Sequence, residues 1–215
     1  MPTDDHHRRY WTEKGAAKTF TTPLEIDLFS AHVPHSARIL DFGCGYGRTL
    51  AQLKDAGFQN LTGIDFSESL IERGRAENPG PELIAYPGGR LPFDDDSFDA
   101  ALMLAVLTCM PDTLTQAETL LELKRVLVPG GLLYVTDFLL NRDRRNLDRY
   151  KLGQEKYGIY GIFDVPDGGV LRHHDVNHME ALFFDFETIE FTEAVFTTMH
   201  GHESCAFYSL LRMPG

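Results

Sequence analysis

Short apolar runs and amphipathic stretches alternate along most of this chain, and their periodicity predicts its elements. Ala37-Arg38-Ile39-Leu40-Asp41-Phe42 is aliphatic and compact, as a buried strand should be, and Asn60-Leu61-Thr62-Gly63-Ile64-Asp65-Phe66 repeats the pattern. Further strands are expected near 82–86, 98–104 and 131–138, with helices near 47–56, 67–77 and 112–127. Strands alternating with helices call for parallel strands joined by right-handed crossovers. Near the C-terminus the signal changes. Thr188 to Phe196 alternates at period two, and Ala206 to Leu211 follows the turn His200-Gly201-His202, which predicts a closing antiparallel hairpin. Residues 1–36 form a leader with helical patches such as Pro23 to Phe29, and the 139–187 segment is longer than a usual crossover.

The first strand runs into Asp41-Phe42-Gly43-Cys44-Gly45-Tyr46-Gly47, and a helical pattern from Arg48 to a stop at Gly57 follows. Glycines there let the chain turn sharply and let a ligand approach a helix N-terminus. Dinucleotide sites want glycines at the first, third and sixth positions. Here they stand at 43, 45 and 47, and position 48 is Arg48. Asp41 discriminates further, because a carboxylate repels a pyrophosphate but suits the sulfonium and ammonium of S-adenosylmethionine (SAM). Asp65, at the end of the second strand, is placed to accept ribose hydroxyls.

These motifs resemble those of the class I SAM-dependent methyltransferases. Ile39 to Gly47 is similar to their first motif, Gly63-Ile64-Asp65-Phe66-Ser67 to the ribose-binding second strand, Leu91 to Asp99 to the approach to strand four, and Arg125 to Gly131 to the turn before strand five. The motifs come in order and cover roughly residues 37–137; the flanks Lys18 to Leu24 and Val170 to Asp175 resemble a subgroup of small bacterial and archaeal methyltransferases. The resemblance implies an α/β, Rossmann-like, doubly wound seven-stranded sheet. Its strand order would be 3-2-1-4-5-7-6, strand 7 antiparallel, with helices on both faces. It also implies SAM as cofactor, S-adenosylhomocysteine as product and a small-molecule methyl acceptor. The alternative is a SAM-binding sensor or regulator without turnover. A dehydrogenase is disfavoured by Asp41 and the glycine spacing.

Composition narrows the picture. The length of 215 residues suits one domain, 1–215, with residues 1–36 as an N-terminal cap and 139–187 as a lid insertion. A net charge of −12 disfavours nucleic acid as a partner. No apolar run approaches the roughly 20 residues of a membrane span. The polar start Met1 to His7 is not a signal peptide. Cys44, Cys109 and Cys205 lack metal spacing, which fits reduced thiols in a cytoplasmic monomer or homodimer, and no metal is expected.

Each candidate residue carries two readings. Phe66 is placed to lie against adenine or to pack in the core; Ser67 is placed beside the cofactor or as the next helix's N-cap. Many relatives hold adenine with an acid after strand three, but Pro87 stands there, which leaves the backbone of Gly88, Gly89 and Arg90. Leu104 and Ala105 would border the methyl group, and Cys109 lies where it should emerge, unless it is simply buried and apolar. Tyr10, Trp11 and Lys14 either fold over the methionine end or pack the leader down.

The basic run Asn141 to Lys151 is either a solvated helix or a lid facing an anionic acceptor, and Tyr157 to Phe163 suits a cover over a pocket. His173, beside His174, is the candidate general base if the nucleophile arrives protonated, or else a packing residue. His200 and His202 sit at a hairpin tip where exposure is the default. The acceptor pocket is expected among Tyr10, Thr22, Cys109, Tyr160 and His173, above strands four and five.

Overall fold

The computed structural model describes residues 4–199 and 201–215, so Met1, Pro2, Thr3 and His200 lie outside the described residues. Five parallel strands, β1 (Arg38–Phe42), β2 (Asn60–Asp65), β3 (Glu82–Ala85), β4 (Phe98–Leu104) and β5 (Leu127–Phe138), are extended by β9 (Glu203–Arg212), which runs against them, and by β8 (Glu187–Thr197), which pairs antiparallel with β9. Their order across the sheet is β3-β2-β1-β4-β5-β9-β8. Numbered without the small hairpin inside the insertion, this is the order the resemblance implies.

Period two along each inner strand sorts its side chains onto two cores. Leu40 of β1, Ala101 and Met103 of β4, and Leu133 and Val135 of β5 belong to one cluster. Their neighbours Ile39, Ala100, Leu102, Leu132 and Tyr134 belong to the other. Strands buried on both faces need helices on both, supplied on the way by α3 (Arg48–Asp55), α4 (Glu68–Glu77) and α5 (Thr113–Val126). The leader adds α1 (Asp4–Lys14) and α2 (Ile26–His32), the latter seating Phe29 in the second core.

The 139–187 insertion holds α6 (Arg144–Tyr157), a two-stranded hairpin of β6 (Ile162–Asp164) and β7 (Val170–Arg172), and α7 (Val176–Leu182). Asp143 and Asp175 cap their helices, accepting from the backbone N–H of Asn146 at 3.2 Å and of Asn177 at 2.8 Å. The insertion is tied to the end of β5: His174 N donates to Phe138 O at 3.0 Å, and Leu140 N donates to His174 O at 2.9 Å. This tie brings α6, the hairpin and the His173-His174 pair to the carboxyl edge of the sheet. Ligands of open α/β sheets bind at that edge.

Candidate active site

A cavity of about 760 Å³ opens at that edge. Its wall is shared by the ends of β1, β2, β4 and β5, the leader from Tyr10 to Thr22, the start of α5, and the insertion.

At the β1 end, Asp41 is 2% exposed and its Oδ2 has no hydrogen-bond partner. Burial pushes its carboxyl up to about 7; Arg48 opposes the shift and Asp65 adds to it. Asp65 is buried too, but both its oxygens are used: Oδ2 accepts from Gly45 N at 3.0 Å and Oδ1 from Ser67 N at 2.8 Å. Burial raises its pKa, and these two amides pull it back. The acid on β2 thus sets the shape of the glycine turn on β1.

The glycines divide by role. Gly43 lines the cavity, whereas Gly45 and Gly47 do not. Gly45 has φ +55°, and a Cβ there would run into the Phe20 ring, which stacks on Tyr46 at 5.4 Å. Ser67 also lies off the cavity wall; its amide orients Asp65, and its hydroxyl lies 3.1 Å from that of Ser69. Phe66, Gly88, Gly89 and Arg90 border the cavity, as do Leu104 and Ala105. Ala105 holds φ +55°, a conformation costly for a side chain with a Cβ, and donates its N–H to Thr136 O at 2.7 Å.

Asp137, at the end of β5, is a residue the sequence reading passed over. Fully buried and pushed up to about 7 by desolvation, it accepts from Thr108 N at 3.0 Å and Phe138 N at 2.7 Å. It therefore fixes the 107–109 turn that puts Cys109 on the cavity wall. An acid at a strand's carboxyl end, as at Asp41 and Asp65, was the available signal.

The leader crosses the mouth. Tyr10, Trp11 and Thr22 line the cavity, while Lys14 is exposed and takes no part in the wall. Lys18 Nζ lies 2.7 Å from Asp167 Oδ2 in the β6–β7 turn, and the Tyr10 hydroxyl donates to the same oxygen at 3.0 Å. Leader and insertion are thus joined across the opening.

His173 is buried, lines the cavity, and packs edge-on to Phe163 at 4.8 Å. Its Nδ1 lies 2.6 Å from the Tyr150 hydroxyl and 3.1 Å from Asn141 Nδ2. Asn141 is oriented by Cys205 N, which donates to its Oδ1 at 2.8 Å, and the Tyr150 hydroxyl already accepts from Asn141 N at 3.2 Å. With the tyrosine hydroxyl as the donor to Nδ1, the ring's own proton stands on Nε2. Burial, then Arg149, His174 and Arg145, hold the imidazole well below its usual pKa, so it is neutral. His173 lines the cavity as a neutral imidazole whose Nδ1 is engaged by Tyr150 and Asn141. Tyr160 needs a correction of place. It is 37% exposed, stands edge-on to Tyr150 at 5.4 Å and is not part of the cavity wall. His202 does line the cavity, and His200 lies outside the described residues.

A family model described as a methyltransferase domain matches residues 40–135. The 27-O-demethylrifamycin SV methyltransferase of Amycolatopsis mediterranei is 33% identical over 142 residues, 62% of this chain and 51% of that one. The demethylmenaquinone methyltransferase of Staphylococcus aureus is 34% identical over 144 residues, 65% and 56% respectively. The chain thus spans about half the length of the curated relatives it matches. A solved SAM-dependent methyltransferase from Methanosarcina mazei superimposes with a TM-score of 0.81 at 26% identity, covering 87% of this chain and 97% of that one. Residues 40–135 thus carry a methyltransferase domain, and the fold is similar to that of a SAM-dependent methyltransferase.

The cavity wall holds unpartnered polar atoms of the kinds that the amino-acid end of SAM calls for. Among the buried atoms without partners are an acceptor, Asp41 Oδ2, and two donors, Trp11 Nε1 and Arg48 Nε, all on residues of the cavity wall. The amino-acid end of SAM carries an ammonium and a carboxylate, which call for an acceptor and a donor respectively. Among the described residues no group of side chains is arranged to hold a metal ion, and no helix is long and apolar enough to cross a membrane.

Asp41 should make cofactor binding pH-dependent. Its pKa of about 7 keeps it largely protonated at pH 6, and a bound cation favours the carboxylate. SAM should therefore bind more tightly as pH rises through 7, by about tenfold between pH 6 and 8, with proton release at the lower pH. Calorimetry in buffers of contrasting ionisation heat reads both effects. The step should vanish in Asp41→Asn; an equally steep step in that variant would assign it to another group.

Proposed function

We propose that this methyltransferase transfers the methyl group of SAM to a small, polar or anionic acceptor in the cytoplasm. The observation that carries this reading is one cavity shared by the acid-tipped strand ends and the aromatic, basic face of the insertion. The relatives named for demethylrifamycin SV and demethylmenaquinone fit a small-molecule acceptor. When bound, SAM supplies a methyl group already activated by its sulfonium.

The chain's own residues then bind, align and exclude water. Asp41, Trp11 and Arg48 hold the amino-acid end, and Asp65 accepts from the ribose. Phe66 and the 88–90 backbone border adenine, in place of the acid that Pro87 replaces. Leu104, Ala105 and Cys109 frame the route to the acceptor, which lies among Thr22, Cys109 and His173. Residues 1–36 act as a cap and 139–187 as a lid on a single domain. His173 donates a hydrogen bond and takes no proton, so the acceptor enters with its nucleophilic atom already free.

Incubating the protein with methyl-labelled SAM and a small-molecule extract tests the reading. Label should appear in the small-molecule fraction. A protein that binds SAM yet labels nothing in it would refute transfer and favour a sensor.

A further inference from the structure

The cavity's charges are sorted by element. Its acids sit on the strand ends, as Asp41 and Asp65, and on or beside α5; beyond Arg48 beside Asp41, the wall's cations without an ion-pair partner, Arg145 and Arg149, sit on α6. Positions 145 and 149 are one helical turn apart and share a face. Arg149 is half-buried, and its guanidinium carbon lies 3.4 Å from the centre of the Phe163 ring. Its Nε is sealed from solvent without a partner. The chain carries 32 acidic residues against 20 basic ones, yet among the described residues neither Arg145 nor Arg149 pairs with a carboxylate. Arg144, on the outer face, does find Asp148, at 3.6 Å. A guanidinium taken out of water normally meets an anion.

We propose that Arg149, supported by Arg145 and by the Nε2–H of His173, forms an oxyanion subsite for an acceptor whose planar ring carries an ionised oxygen. Both arginines stand close enough to His173 to depress its pKa, so the three groups act on one region. Burial lowers the pKa of Arg149 itself, and a bound anion reverses that shift. Phe163 and Phe138 line the cavity beside these donors: Phe138 stacks on His173 at 5.6 Å, and Phe163 meets its edge. The guanidinium fork matches carboxylate geometry and serves a phenolate or enolate oxygen equally well. The shared chemistry is an oxyanion on a flat ring.

The inference rests on the methyltransferase reading, so its test is run on protein saturated with S-adenosylhomocysteine. Three probes of one shape are titrated at pH 8: 4-nitrophenolate, 4-nitrobenzoate and the neutral 4-nitrobenzamide. At least one anion should bind about tenfold or more tightly than the amide, and the better anion tells whether the oxygen is phenolic or carboxylic. Arg149→Gln should erase that preference, and Arg145→Gln should reduce it two- to fivefold, with thermal melts confirming folding. If Arg149→Gln does not fold, Arg145→Gln and the wild-type preference still decide. Equal binding of all three probes overturns the subsite, as does a preference that survives in a folded Arg149→Gln. Failure to bind S-adenosylhomocysteine at all would instead strike the methyltransferase reading.

Discussion

Asp65→Ala should weaken S-adenosylhomocysteine binding about 100-fold, close to 3 kcal/mol. Two losses combine. The charge-assisted bonds to the ribose hydroxyls contribute roughly 1–3 kcal/mol. The second loss is internal: without the carboxylate, the amides of Gly45 and Ser67 lose their acceptor in a buried setting, and the turn that shapes the cofactor end loosens. Asp65→Asn separates the two, since its amide keeps one oxygen able to accept while losing the charge, and should fall between wild type and alanine. Calorimetry on the three proteins gives the ranking. A tenfold or smaller effect in Asp65→Ala would mean that the ribose is held elsewhere.

Gly153→Ala should be the most damaging single methyl in the insertion. Gly153 is buried on the inner face of α6, and a Cβ there would overlap the Ile162 carbonyl oxygen and lie 2.7 Å from its carbon. A backbone carbonyl cannot step aside as a flexible side chain can, so helix and hairpin must part. Overpacking of this kind costs roughly 2–4 kcal/mol, which in a domain of this size lowers the melting temperature by about 5–12 °C. Faster proteolysis between α6 and β6 should accompany it. An unchanged melt and cleavage pattern would show that the hairpin does not rest on the helix.

The sheet was legible because two requirements coincide in its strands. Ile39-Leu40 and Leu132-Leu133-Tyr134-Val135 must be apolar on both faces, and the turns that follow must carry glycine or an acid. Both leave marks within a few residues of sequence. The β6–β7 hairpin was missed because each strand is three residues long, too short for a period to show. The turn Val165-Pro166-Asp167-Gly168 was its only signature, with Gly168 at φ +99°.

The site was legible in part, for a related reason. Asp41 and Asp65 announce themselves beside glycines. Phe20 over Gly45, or Tyr150 on His173, joins residues 25 and 23 positions apart and leaves no local trace. The setting of His173 is hidden for the same cause, since the sequence shows an imidazole but not which nitrogen its neighbours occupy. Arg149 was visible as one charge in a basic run; only its placement on Phe163 separates it from its solvated neighbours.

The junction of Tyr10 and Lys18 with Asp167 has a kinetic meaning. The leader and the hairpin turn both border the cavity, and both are fastened by the same carboxylate. Opening a path for either ligand breaks the same bonds, so admission and departure share one barrier rather than two.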